Sequence, residues 1–165
     1  MAVTNRATLE IAISETSTAD AGLPSLPHLF KLLGFDLPDF KVYADGSGAN
    51  QQNLVHSGTL NLAGAPQSLD LNGGISSKLT GAVQTWAKVK GIAVVNLSSD
   101  TGEAVIIGGG ADAVIAVQAA VGPGGVYLYT DPIDGATVTP TSADTLQFDP
   151  GASTLDVAYI IWGTS

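Results

Sequence analysis

The sequence predicts an all-β fold, an antiparallel β-sandwich of jelly-roll-like form with one short N-terminal helix. Three observations lead there. Apolar residues recur with a period of two, not 3.6, along almost the whole chain. Turn signals built from Gly, Asp, Asn and Pro fall between the alternating runs every ~8–12 residues. The 165 residues fit one domain at about 100–200 residues per domain, enough to build a core without covalent staples.

In chain order, Leu9, Ile11 and Ile13 alternate with Thr8, Glu10 and Ala12. Ser25 to Gly34 then breaks the period: Leu26, Leu29, Phe30 and Leu33 stand at i, i+3, i+4 and i+7. Ser25 suits the N-cap, Pro27 the first turn and Gly34 the position after the last turn, so a helix of two to three turns is expected. Pro24 and Pro38 bracket it, and residues 14–24 and 34–39 read as linkers. Residues 1–39 therefore form either an arm or a strand and helix packed over one open end of a β-body spanning 40–165.

Within the body, Leu60 and Leu62 alternate with Thr59 and Asn61, and Leu69 and Leu71 flank Asp70. From Thr85 to Leu97, Ala87, Val89, Gly91, Ala93, Val95 and Leu97 share one face. The other face starts with Trp86, Lys88 and Lys90 and turns apolar at Ile92 and Val94, a strand exposed at its start and buried on both sides at its end. Further strands are expected at Ala104–Ile107, Val114–Val117, Gly125–Thr130, Ala136–Thr139, Thr145–Phe148 and Leu155–Trp162. Turns are expected at Asp45-Gly46, Asn72-Gly73-Gly74, Asp100-Thr101-Gly102, Gly122-Pro123-Gly124-Gly125, Asp134-Gly135 and Asp149-Pro150-Gly151. The last strand is apolar on both faces, with Ala158, Ile160 and Trp162 on one and Val157, Tyr159 and Ile161 on the other, so it is either central in a sheet or covered by a neighbouring subunit.

Composition narrows the function classes. Charged residues are 13% of the chain, about half the usual ~25%. Gly, Ser and Thr take their place. With 6 basic and 15 acidic residues on about 7,600 Å² of surface, each charge has about 360 Å² to itself, a thin coverage that suits a surface facing other protein. Net −9 with so few basic residues excludes a nucleic-acid footprint. The lack of cysteine excludes disulfides, thiolate metal sites and Cys nucleophiles. Met1 to Arg6 holds no basic segment leading into an apolar run, and the most apolar window, Ala104 to Val121, is broken by three glycines, Asp112 and Gln118. A soluble product made in the cytoplasm without a signal peptide is expected, with no membrane partner.

The catalytic inventory is thin. His28 lies beside Leu29 and Phe30, and His56 beside Val55, with no spacing that joins either to a nucleophile elbow. Asp131, Asp134 and Gly135 in one loop and Asp45, Asn50 and Asn53 in another are oxygen-rich, but lack the EF-hand spacing and its closing Glu, so turn formation accounts for them. Gly108-Gly109-Gly110 and Gly46-Ser47-Gly48 lack the Lys-Ser or Lys-Thr of a phosphate loop. Asn96-Leu97-Ser98 matches a glycosylation sequon. No catalytic residue, metal or cofactor is expected.

The body carries an ordered set of pieces: Asp45-Gly46-Ser47-Gly48-Ala49-Asn50-Gln51, Leu69-Asp70-Leu71-Asn72-Gly73-Gly74, Trp86-Ala87-Lys88-Val89-Lys90-Gly91-Ile92, Asn96-Leu97-Ser98, and Val105-Ile106-Ile107-Gly108-Gly109. After them come Gly122-Pro123-Gly124-Gly125-Val126, Asp134-Gly135-Ala136-Thr137-Val138, Ser142-Ala143-Asp144-Thr145-Leu146 and Val157-Ala158-Tyr159-Ile160-Ile161-Trp162-Gly163-Thr164. Over residues 40–165 this order resembles the small virion structural proteins of tailed bacteriophages. The resemblance implies a non-enzymatic capsid decoration or cement protein on the outer surface of the virion. Its partners would be the major capsid protein and further copies of itself, a homotrimer being favoured by analogy. Candidate contact residues are Leu26, Leu29, Phe30, Leu33, Trp86, Tyr127, Tyr129, Tyr159 and Trp162.

Two other readings stand beside it. One is a tail, neck or head-fibre component, separable by copy number per particle. The other is a carbohydrate-binding β-sandwich that would stack sugars on exposed Trp86, Tyr127 or Tyr129. An enzyme would need a pocket holding His28 or His56 beside a serine and a carboxylate.

Overall fold

Nested antiparallel pairing organises the body of this protein. The computed structural model describes residues 9–10, 31–32, 44–77 and 81–165, and the chain divides into two units, Met1–Phe40 and Lys41–Ser165. In the first unit β1 (Leu9–Glu10) pairs antiparallel with β2 (Lys31–Leu32). The helix expected over Ser25–Gly34 lies outside the described residues, apart from Lys31 and Leu32, which are strand and not helix.

The second unit begins with two short strands, β3 (Ala44–Asp45) and β4 (Gln51–Gln52), which pair parallel. There follow β5 (Leu54–Ala63), β6 (Gln67–Asp70), β7 (Asn72–Ser76), β8 (Val83–Thr85), β9 (Lys88–Asn96), β10 (Val105–Ile107), β11 (Ala119–Val121), β12 (Val126–Thr130), β13 (Ala136–Thr137), β14 (Thr145–Asp149) and β15 (Thr154–Thr164). Two sheets dominate, a four-stranded one in the order β11-β10-β14-β6 and a five-stranded one in the order β12-β9-β15-β5 with β13 beside β9. The pairs nest: β5 with β15, β6 with β14, β9 with β12, β10 with β11. The first of these strands thus pairs with the last and the middle two with each other, as in one long hairpin. Two further ladders, β9 to β15 and β10 to β14, wrap that hairpin on itself.

The wrapping follows from which faces are apolar. Leu62, Ile92, Val94, Val157 and Ile161 of one sheet and Val105, Ile107, Leu146 and Phe148 of the other are buried in one cluster. Each fully buried side chain of this size contributes about 1.5–3 kcal/mol, and together they hold the two sheets face to face. The Phe148 and Tyr159 rings meet across the layers with centroids 5.6 Å apart.

The strand expected at Val114–Val117 is absent. Gly108, Gly109 and Gly110 all have positive φ (85°, 72° and 83°), a run that only glycine sustains. They fold the chain so that Gly109 N–H donates to Ile115 O (2.8 Å) and Gly108 N–H to Gln147 O (3.0 Å). A Cβ on Gly108 would stand 2.6 Å from Val117 O. The backbone of 114–117 therefore serves a loop, Ile115 plugs the core and Val117 faces out, while the ladder strand lies just beyond, at β11. Sequence reading also missed the β7–β8 hairpin, whose register shifts between Asn72 and Ile75. The expected Asn72-Gly73-Gly74 turn is the irregular part of that hairpin.

Candidate functional site

One face of the β12-β9-β15-β5 sheet carries no charged side chain over three successive cross-strand rows. Cross-strand register aligns it in rows. Thr130, Gly91, Trp162 and Val55 form one, Leu128, Ala93, Ile160 and Ser57 the next, and Val126, Val95, Ala158 and Thr59 the third. No charged side chain occurs in these rows. The rim begins at the next pair, where Asn61 Nδ2 donates to Asp156 Oδ1 (2.8 Å). Within these rows Gly91, Ala93 and Trp162 are buried, and the solvent-facing part lies on the flanking strands, at Val126, Leu128 and Thr130 of β12 and Ser57 and Thr59 of β5.

The two edges of that sheet differ. Gly64 N–H donates to Ser153 O (2.9 Å), in register with the β5–β15 ladder. Antiparallel alternation then turns the backbone groups of Val55, Ser57, Thr59 and Asn61 outward. Two of those carbonyls are taken: Gln84 Nε2 donates to Val55 O (3.2 Å) and Gln67 Nε2 to Asn61 O (2.6 Å). On the far side, Asp131 N–H donates to Lys90 O (2.9 Å) and Asn96 N–H to Gly125 O (3.0 Å). Those bonds fix the β9-facing groups of β12 at Tyr127 and Tyr129 and turn those of Val126, Leu128 and Thr130 to the open edge. Val126 and Leu128 are 42% and 39% exposed. β12 is the last strand of its sheet among the described residues.

The loops at one end of the body converge on Lys90, which is 1% exposed. Its Nζ donates to Ile133 O (2.7 Å), Pro132 O (3.1 Å) and Gly48 O (3.4 Å), and Asn50 N–H also donates to Pro132 O (2.7 Å). Asp131 starts this loop. The Gly135 N–H, followed by those of Asp134 and Ile133 and by the charge of Lys90, holds its carboxyl below the ordinary carboxylate range against an opposing effect of burial. The oxygen-rich loops 131–135 and 46–50 are thus fastened by an ammonium group. Among the described residues no cluster of three or more His, Asp or Glu side chains is arranged to hold a metal.

At the opposite end Asn96, fully buried, joins three turns. Its Nδ2 donates to Glu103 O (2.8 Å) and Val121 O (3.0 Å), and its Oδ1 accepts from Ser98 N–H (3.0 Å). Ser98 Oγ also donates to the Glu103 carboxylate. The sequon asparagine is a structural fastener with both amide hydrogens engaged.

His56, 6% exposed, lies inside the body. Its Nδ1 donates to Ser76 O (3.1 Å), which leaves Nε2 to accept from the Tyr159 hydroxyl (3.1 Å) in the neutral ring. Burial pushes the Tyr159 hydroxyl above its usual range, and that of Tyr127 likewise.

Several expected residues lie elsewhere than the sequence suggests. Trp86 is 2% exposed, not a surface ring. Its backbone N–H donates to Leu71 O and the Ala87 N–H to Thr164 O, which ties the segment between β8 and β9 to both neighbours and holds the ring inside. Gly163 leaves it room, since a Cβ there would stand 3.1 Å from Trp86 Cε3. Lys90, grouped with Trp86 on a solvent face, is inside. Tyr159 and Trp162 are buried because β15 is central, flanked by β5 and β9. Tyr127 and Tyr129 are half-buried and pack on the core. His28, Leu26, Leu29, Phe30 and Leu33 lie outside the described residues. Sequence reading passed over Val126 and Leu128, although Val126-Tyr127-Leu128-Tyr129 is apolar on both faces and so carried the signal. Comparison with protein-family models, curated proteins and solved structures finds no match to this chain.

Proposed function

We propose that this protein is a non-enzymatic structural component of a bacteriophage virion, a jelly-roll sandwich that decorates the outside of the capsid and cements it. The observation that carries this reading is the union of nested strand pairing with the uncharged face of the β12-β9-β15-β5 sheet. Pairing first strand with last and middle with middle, then wrapping the hairpin into two layers, is how a jelly roll is built, and that architecture serves viral capsid proteins and lectins alike. Trp86, Tyr127 and Tyr129 pack inward, so the described surface lacks those three rings as a sugar-stacking platform, and the capsid use is favoured over the lectin use. The order of turns and strand ends over 40–165 resembles the virion proteins and supports the same choice.

The mechanism is clamping. The exposed flanks of this face fall well short of a standard interface and bind weakly by themselves, but a shell offers the same site many times, and linked copies gain from effective concentration. The major capsid protein is the partner. The test is stoichiometry and location on purified particles: hundreds of copies on the shell are expected. A count of ~3–12, as for a neck, tail or fibre part, overturns decoration in favour of that placement, and absence from particles overturns both.

A further inference from the structure

We propose that the open edge of β12 pairs with the same edge of a second copy, giving a two-fold dimer with a sheet continuous across the axis. The groups of Val126, Leu128 and Thr130 turn away from β9 as donors and acceptors spaced for one more strand. The opposite edge of the sheet is engaged by Gln84 and Gln67 side chains, whereas β12 lacks, in its own sequence and among the described residues, the usual guards. It has no charged residue, no proline and no register shift.

The partner is a second copy because the edge complements itself. Antiparallel pairing centred on Leu128 sets Leu128 against Leu128 and Val126 against Thr130. In a chain of net charge −9, this strand is an uncharged stretch where two copies meet without repulsion. The same register places Asp131 opposite Gly125 rather than another carboxylate, and the exposed Val126 and Leu128 side chains continue one apolar face into the other. A two-fold contact of this kind closes at two copies, so it replaces the expected trimer.

The absence of cysteine gives a direct test on the full chain. Facing residues of a hydrogen-bonded antiparallel pair have Cα atoms about 5.5 Å apart. With a short thiol cross-linker, Leu128→Cys should couple to itself, Thr130→Cys alone should not, and a mixture of Val126→Cys and Thr130→Cys should give the mixed dimer. Leu128→Pro removes an N–H that the β9 ladder does not use, and Leu128→Lys sets two ammonium groups against each other. Each should weaken dimerisation in sedimentation by at least about tenfold, with Leu128→Lys leaving the melting temperature of the monomer unchanged. A wild-type chain that stays monomeric at high micromolar concentration overturns the proposal. So does a dimer that persists in Leu128→Lys, or one lost on deleting residues 1–40 while the cysteine pattern fails, which would make that segment the occupant. A monomer that still coats particles overturns this pairing and leaves the capsid reading standing.

Discussion

Lys90 Nζ donates to the carbonyl oxygen of Ile133 at 2.7 Å, across 43 residues of sequence. With Pro132 O and Gly48 O it forms a carbonyl cage that closes two loops over the start of β9. Burying an amine is costly unless its hydrogens are given away, and here three backbone oxygens receive them.

Lys90→Met keeps the aliphatic stem and removes the donor. Three carbonyls then lose a partner, and the loss should be about 2–3 kcal/mol of stability. Chemical denaturation of wild type and variant measures it, and hydrogen exchange should show the change concentrated in 46–50 and 131–135.

Asn96→Ala should cost about 2–3 kcal/mol, because Glu103 O and Val121 O are left without the amide that spans them. Amides of 97–104 and 122–125 should lose protection in hydrogen exchange, while those of β5 keep theirs. Asn96→Asp should be no better, since its carboxylate faces two carbonyl oxygens.

Gly91 is the floor beneath an indole. A Cβ there would stand 2.0 Å from Trp162 Cζ2, so Gly91→Ala should destabilise by about 2–3 kcal/mol through overpacking. In a Trp162→Ala background the same change should cost less than about 1 kcal/mol. A four-way denaturation cycle checks the coupling.

The His56–Tyr159 bond sets an alkaline limit. Burial raises the hydroxyl of Tyr159 above its ordinary value in the folded chain, so above pH ~10 the unfolded chain loses that proton first and stability falls as pH rises. Stability below that range is unaffected by this group. Tyr159→Phe should remove this part of the alkaline slope while costing about 1–2 kcal/mol at neutral pH, where His56 Nε2 loses its donor. Denaturation midpoints between pH 7 and pH 11 separate the two effects.

What the sequence revealed, and what it hid, follows the range of the forces involved. Alternation located β9, β12, β14 and β15, since period-two patterning is the direct imprint of a sheet with an apolar face. The turns at Gly102, Gly124, Gly135 and Gly151 were legible because positive φ favours glycine. Lys90 was misread because a lysine beside Lys88 and Trp86 looks like a solvent face, and the carbonyls that accept it come from 42 and 43 residues away. Val114–Val117 was misread for the opposite reason: its residues favour strand, but three glycines bend the backbone out of the ladder. The place of β12 as the last strand of its sheet among the described residues was invisible, since strand order decides it.

The capped edge of β5 bears on how the protein behaves when concentrated. A sheet with two bare sides is a polymerisation seed, adding molecules from both ends until a fibril grows. Here the amides of Gln84 and Gln67 occupy two of the outward carbonyls of β5 and so hinder strand addition on that side. If the β12 edges pair as proposed, crowding at high local density gives a closed pair rather than filaments.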